Sequence, residues 1–197
     1  MIGNPLEQDI IELYSDNISS IYSINQIAGK LGKKYPYINK KVSLLIKNRI
    51  FKKIVVGRSY LCSLNLRNDE TIYLLILNEI KRKKAELEAH PKLQGTMDYL
   101  DKVKKTIPIQ LVIKSKENLF FVFEGSDDKE RFEKGTFKQL FSHYQMEALT
   151  KESFLAMLVE DKDIQENHII LHGFEKYYAY LKEIETELNL KYSKLMP

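Results

Sequence analysis

The chain has 197 residues, 44% of them hydrophobic and 29% charged, a balance that supports a packed core in one or two domains and excludes wholesale disorder. Its single cysteine, Cys62, excludes an intramolecular disulfide framework and a cysteine-rich zinc site, and the longest apolar runs, such as residues 72–77, are far too short to span a bilayer. The net charge of +4 hides an asymmetry: residues 1–84 hold 15 Lys/Arg against 7 Asp/Glu, and the stretch from Asn17 to Asn68 holds 11 Lys/Arg and no acid, which points to a polyanionic partner. The lone thiol, and a start at Met1 without a basic segment and apolar run behind it, lead us to expect a cytoplasmic protein without membrane contact.

Leu6, Ile10 and Leu13 recur at helical spacing behind Pro5, which suits a first helical turn, and they predict a helix over 6–14. Ser23 fits the N-cap of a second helix over 24–31, with Ile24, Ile27, Ala28 and Leu31 on one face and Gly32 as its stop. Residues 33–36 form a turn. Ile38, Val42, Leu45 and Ile46 then give an inward stripe to a third helix over 37–48. Two short strands follow, 50–56 and 59–64, joined by a tight turn at Gly57-Arg58, with Cys62 as an expected core residue of the second. Helix, helix, turn, helix and hairpin, in that order, make a winged helix-turn-helix.

Asn68 or Asp69 caps a long helix over 70–89, which His90-Pro91 ends, and a helix over 93–103 leads to Ile107-Pro108. From Ile109 the apolar period shortens. Strands are expected over 109–114 and 119–124 around a turn at 115–118, then a polar loop over 124–135, a helix over 136–143 and a strand over 145–149. A helix capped by Thr150 runs to Leu158, a strand over 168–171 ends at His172-Gly173, and a last helix covers 174–190. The expected fold class is α+β: a winged helix-turn-helix over 1–67, linking helices over 68–106, and a small C-terminal α/β domain with a mixed sheet over 107–197.

The stretch from Ser23 to Phe51 carries Ile27-Ala28 in the second helix, Leu45 and Ile50-Phe51 at the exit of the third, and a basic hairpin behind them. It resembles the winged-helix transcriptional regulators of the MarR/ArsR-like type found in archaea and bacteria, over about a third of the chain. The resemblance implies a regulator that binds double-stranded DNA sequence-specifically as a dimer. Arg49 stands where that family usually has glycine, which implies backbone strain there.

A helix in the major groove presents polar side chains opposite its core stripe; here these are Tyr37, Asn39, Lys40, Ser43 and Lys47, with Lys41 at the edge. Asparagine pairs bidentately with adenine, and lysine reaches guanine or phosphate. Lys33, Lys34, Lys52 and Lys53 are expected on phosphates and Arg58, at the wing tip, in a minor groove. The stripe Ile72, Leu75, Ile76 and Ile80 of the long helix is the expected homodimer seam; the alternative is that it packs on the chain's own first helix.

Residues 167–178, with 146–154 before them, are similar to the closing strand, glycine and helix of minimal nucleotidyltransferase domains, which some archaeal proteins fuse to a winged helix. That family needs a Gly-Ser turn and two strand-borne carboxylates spaced Asp-x-Asp to hold magnesium. Here Gly125-Ser126 precedes the adjacent pair Asp127-Asp128, and Asp161-Lys162-Asp163 falls in a polar turn. No catalytic residue is carried over, so the domain is expected to serve assembly or sensing of a small-molecule or protein effector.

His90, His143, His168 and His172 have no metal-ligand spacing, and each is expected to be satisfied or exposed at the surface. No metal, cofactor or enzymatic activity is expected. Phe120, Phe121, Phe123, Phe132, Phe137, Phe141 and Phe154 read mostly as core. Tyr177, Tyr178 and Tyr180 on one helix are not expected to be buried together and would mark a second contact surface. Two competing functions remain. A diverged nucleotidyltransferase would show two carboxylates meeting on adjacent strands beside a Gly-Ser turn. A protein-binding scaffold would use the winged helix to grip protein.

Overall fold

The structure, a computed structural model, describes residues 4–57, 59–135 and 144–192. It divides into two compact units, residues 1–78 with 182–197 and residues 79–181. The limits expected at 67/68 and 106/107 do not coincide with this division, which falls inside the long helix and returns the last helix to the first unit.

The first unit contains α1 (Pro5–Glu12), β1 (Tyr22–Ser23), α2 (Ile24–Lys30), α3 (Tyr35–Lys47), β2 (Phe51–Val56), β3 (Ser59–Leu64), the opening turns of α4 (Asp69–Ala89) and, from the far end of the chain, α10 (Glu185–Tyr192). α2 starts in a capping box: Ser23 Oγ accepts the Gln26 N–H at 3.2 Å and Gln26 Oε1 accepts the Ser23 N–H at 2.8 Å. It stops at Gly32, whose φ of 61° is open to glycine. α3 begins two residues earlier than its apolar stripe implies, because Pro36 lies in its first turn, where a missing N–H costs nothing.

β1, β3 and β2 form an antiparallel sheet in that order. The two-residue β1 was not expected, since two residues show no alternation. Ile10, Ile27, Ile38, Val42 and Phe51 fill the core beneath. Tyr14 stands among them: its ring centroid lies 5.0 Å from those of Tyr22 and Phe51, and its hydroxyl donates to the Cys62 carbonyl at 3.1 Å. Burial pushes the Tyr14 phenol far up and the Cys62 thiol up to about 11, so both stay protonated at neutral pH.

α4 is anchored at its start by Asn68, whose Oδ1 accepts the Glu70 N–H at 2.9 Å and whose Nδ2 donates to the Asn48 carbonyl at 2.9 Å. The expected dimer seam needs correction here. Leu75 and Ile76 are 0% and 8% exposed and belong to the chain's own core, and Ile72 is half-buried. The apolar stripe left outside is Tyr73, Leu77 and Ile80, at i, i+4 and i+7.

The second unit holds the rest of α4, then α5 (Pro91–Val103), β4 (Leu111–Ser115), β5 (Asn118–Phe123), α6 (Ser126–Lys134), β6 (Gln145–Thr150), α7 (Lys151–Glu160), α8 (Lys162–Glu166), β7 (His168–His172) and α9 (Phe174–Glu183), whose last two residues count with the first unit. Its four-stranded sheet runs β6-β5-β4-β7, with β5 and β6 parallel and the other pairs antiparallel, the mixed sheet expected. Leu93, Leu100, Phe121, Phe123, Phe132 and Leu171 build the core on it.

Four expectations for this half fail. The polar segment after Glu124 is a helix, not a loop: α6 has one fully buried side chain, Phe132, with its ring 4.8 Å from Phe121 and 5.3 Å from Phe123. One apolar residue leaves no period to read, while Asp127 and Asp128 in the first turn and Arg131 and Lys134 in the last complement the helix dipole. The last helix is two, interrupted at Ile184. Tyr177, Tyr178 and Tyr180 are all buried, at 2% exposure each, on a broad inward face of α9, where Tyr177 and Tyr180 pack on Phe154. His168 is buried as well, with Nδ1 at 2.8 Å from the Gln165 carbonyl and its ring 4.6 Å from that of Tyr177. The helix expected over 136–143, with Phe137, Phe141 and His143, lies outside the described residues.

Candidate nucleic-acid interface

α3 turns Ile38, Val42 and Leu45 into the core, and a step of about 100° per residue places Tyr37, Lys40, Leu44 and Lys47 on the opposite face. All four are exposed, Tyr37 by 54% and Leu44 by 41%. Lys33 and Lys34 stand exposed just before the helix, as does Tyr35 in its first turn. Lys40 lies at the centre of this face; Asn39 is half-buried at its margin.

The wing sheet decides which of its lysines join this surface. Side chains alternate along a strand, and directly paired residues share a face. Lys53 pairs with Cys62 and Val55 with Tyr60, which puts Lys53, Val55 and Tyr60 on one face. Ser43 of α3 lies beside the Tyr60 phenol, so this is the α3 side of the wing, and burial pushes that phenol up. The Lys53 ammonium sits over the Tyr60 ring at 4.4 Å. Lys53, Tyr60, Ser43 and the exposed row of α3 thus make one continuous surface.

Two expected members are not part of it. Lys41 turns to α1 and pairs with Glu7 at 3.0 Å, where the carboxylate is 5% exposed. Lys52 is on the other face of the sheet and pairs with Glu185 of α10 at 2.7 Å. Charge composition promised eleven cations in this stretch; the acids that engage two of them come from outside it, where composition of the stretch gives no warning. Arg58 lies outside the described residues. Sequence reasoning missed Tyr60 and Leu44; the alternation that gives Tyr60 the same face as Lys53 was the available signal for the first. For Leu44, i+4 from Lys40 on the outer row, helical spacing was.

The nucleotidyltransferase likeness has no support in the geometry. Gly125 caps α6 and Asp127 and Asp128 lie in that helix, not on a strand. Asp161 Oδ1 accepts the N–H groups of Asp163 and Ile164 as the cap of α8. Glu147 is the only carboxylate on β4 to β7, so no two meet on adjacent strands. Among the described residues no group of three His, Cys, Asp or Glu could hold a metal, and no helix is long and apolar enough to cross a membrane.

The first unit is therefore a winged helix-turn-helix with a basic outer row on its third helix, set in an α+β chain. No protein-family model and no curated protein matches the sequence. Solved structures to which the chain is similar include three regulators. Transcriptional regulator Tm0710 from Thermotoga maritima is 19% identical over 52% of this chain and 74% of that one, with a TM-score of 0.33. Transcriptional regulator PA4135 is 15% identical over 52% and 79%, with a TM-score of 0.36. Staphylococcus aureus MarR in complex with salicylate and kanamycin is 14% identical over 51% and 70%, with a TM-score of 0.34. The winged-helix assignment rests on element order and strand register, not on these likenesses.

Proposed function

We propose that the chain is a transcriptional regulator that binds double-stranded DNA through α3 and the α3 side of the wing. The observation that carries this reading is the acid-free row of Lys33, Lys34, Lys40, Lys47 and Lys53 on one exposed surface, interleaved with Tyr37 and Ser43. Lysines of this kind neutralise phosphates and release counterions, and a helix whose polar row is free of core duty can enter a major groove. In this reading Lys40 and Tyr37, both exposed, reach base edges, and Asn39, half-buried, contributes from the margin. Lys33, Lys34 and Lys53 position the domain on phosphates.

The regulator acts as a homodimer paired along the outward stripe of α4, Tyr73, Leu77 and Ile80, which replaces the seam expected from sequence. A two-fold assembly of this kind reads a pseudo-palindromic site. In this reading the protein is cytoplasmic and not an enzyme, and the second unit serves assembly or effector sensing. One observation favours a competing scaffold role: Leu44, Val55 and Tyr37 expose apolar surface within the same patch. Titration of labelled duplex and single-stranded DNA at two salt concentrations separates the two. The regulator binds duplex with a steep salt slope, whereas a scaffold binds neither.

A further inference from the structure

The face of the wing sheet turned away from α3 borders a cleft of about 270 Å³ within the first unit. Ile54 of β2 and Ile18 and Ile21, from the segment between α1 and β1, supply apolar wall, and Glu185 stands at the start of α10. Into this wall β2 sends Lys52, whose ammonium meets Glu185 at 2.7 Å. An ammonium has three N–H donors and Glu185 engages it from one side; with 42% of the Lys52 side chain exposed, a second acceptor has room to bind. Glu185 is 16% exposed and keeps its hold on the ammonium, so a second carboxylate shares Lys52 with it from the water side rather than displacing it. Ser19 also lines the cleft, and its hydroxyl is buried without a hydrogen-bond partner among the described residues, so the wall holds polar capacity that the chain does not use. Every other charged side chain between Asn17 and Asn68, the segment that forms most of the cleft, is cationic. Apolar walls, one orienting ammonium and a small volume are the features of a pocket for a compact amphipathic anion.

We propose that this cleft binds a small monocarboxylate with an apolar body, its carboxylate on Lys52 and its hydrocarbon against Ile18, Ile21 and Ile54. The site lies on the opposite sheet face from Lys53 and Tyr60, so its occupancy stands independently of DNA binding. The test is titration of hexanoate, hexanamide and hexylamine into the full chain, followed by isoleucine methyl resonances. Saturable shifts at Ile18, Ile21 and Ile54 are expected with hexanoate, at least tenfold weaker binding of the amide and the amine, and at least tenfold weaker hexanoate binding in Lys52→Met, with the Ile27 and Ile38 methyls reporting an intact core. Glu185→Gln, which removes the competing carboxylate, should tighten hexanoate several-fold. The proposal is overturned by the absence of saturable shifts at the three isoleucines, by equal or better binding of the amide or amine, or by hexanoate affinity that does not fall in Lys52→Met. Unchanged or weaker binding in Glu185→Gln also overturns it, and that arm decides the matter should Lys52→Met fail to fold.

Discussion

Lys52 and Lys53 are consecutive residues of β2 that point to opposite faces of the wing sheet: Lys53 lies 4.4 Å above the Tyr60 ring beside α3, and Lys52 is held at 2.7 Å by Glu185 of α10. A strand's alternation makes this unavoidable, so a pair of lysines that looks like one basic patch in sequence is two sites. Lys53→Ala should weaken binding to every duplex alike and lower the salt slope by about 1, the signature of one lost phosphate contact. Lys52→Ala should leave both within about twofold. Salt-dependent titrations of the two variants measure the difference, and equal losses would contradict the face assignment.

Lys40 occupies the centre of the outer row of α3 and Asn39 its half-buried margin. Lys40→Ala is expected to cost about 1–3 kcal/mol at the preferred sequence and to relax selection at one base step. A smaller loss of the same kind is expected for Asn39→Ala. Binding to a set of single-base variants of the preferred duplex gives both values. A uniform loss across the set would make Lys40 a phosphate contact.

Arg49 has a φ of 59°, and its carbonyl is held by Asn65 Nδ2 at 2.8 Å, so the turn between α3 and β2 keeps a left-handed residue that is not glycine. The strain foreseen from sequence at this position is present. Arg49→Gly should stabilise the chain by up to about 1 kcal/mol, the cost of a Cβ in that region less the added freedom of the unfolded chain. The urea midpoint measures it; a destabilised variant would mean that the Arg49 side chain contributes more than its backbone costs.

Gly173 joins β7 to α9 with a φ of 82°, and a Cβ there would fall on the carbonyl oxygen of Gln110 and lie 3.0 Å from Leu111 Cα. Both neighbours are backbone and cannot turn aside. Gly173→Ala should therefore destabilise the second unit by more than about 2 kcal/mol. A urea midpoint close to that of the parent would show that the β7–α9 turn is looser than described.

His168 is depressed to about 4 by burial first and then by the nearby Arg82 guanidinium, whose Nη2 donates to the His168 carbonyl at 3.0 Å. An unfolded histidine titrates near 6.5. Above that value neither state carries the proton; between about 6.5 and 4 only the unfolded chain does, so stability is full at neutral pH and falls as the pH drops through this window. The full loss is about 3 kcal/mol. His168→Phe should remove that part of the pH dependence, read as the difference between urea midpoints at pH 7 and pH 4.5. An unchanged difference would place the acid sensitivity elsewhere.

How much of this was legible in the sequence follows from what each element needed. The helices and hairpin of the winged unit were, because Ile38, Val42 and Leu45 repeat at helical spacing and Ser23, Gly32 and Gly57 punctuate them. α6 was not, since Phe132 is its one buried residue. The burial of Tyr177, Tyr178 and Tyr180 escaped because their partner ring, Phe154, and the buried His168 come from α7 and β7, segments that local pattern does not connect. At the interface, the type of each side chain was readable, but its freedom was not: Lys41 and Lys52 are engaged by Glu7 and Glu185, which are 34 and 133 positions away.

The central claim, that the α3 face reads duplex DNA, is tested most directly by selecting bound duplexes from a random pool with the full chain and recording affinity against salt for the enriched sequence. The account predicts a pseudo-palindromic site, a steep salt slope and loss of enrichment in Lys40→Ala. Binding that is absent, or that enriches no sequence, would contradict it and assign the exposed Tyr37, Leu44 and Val55 to a protein partner.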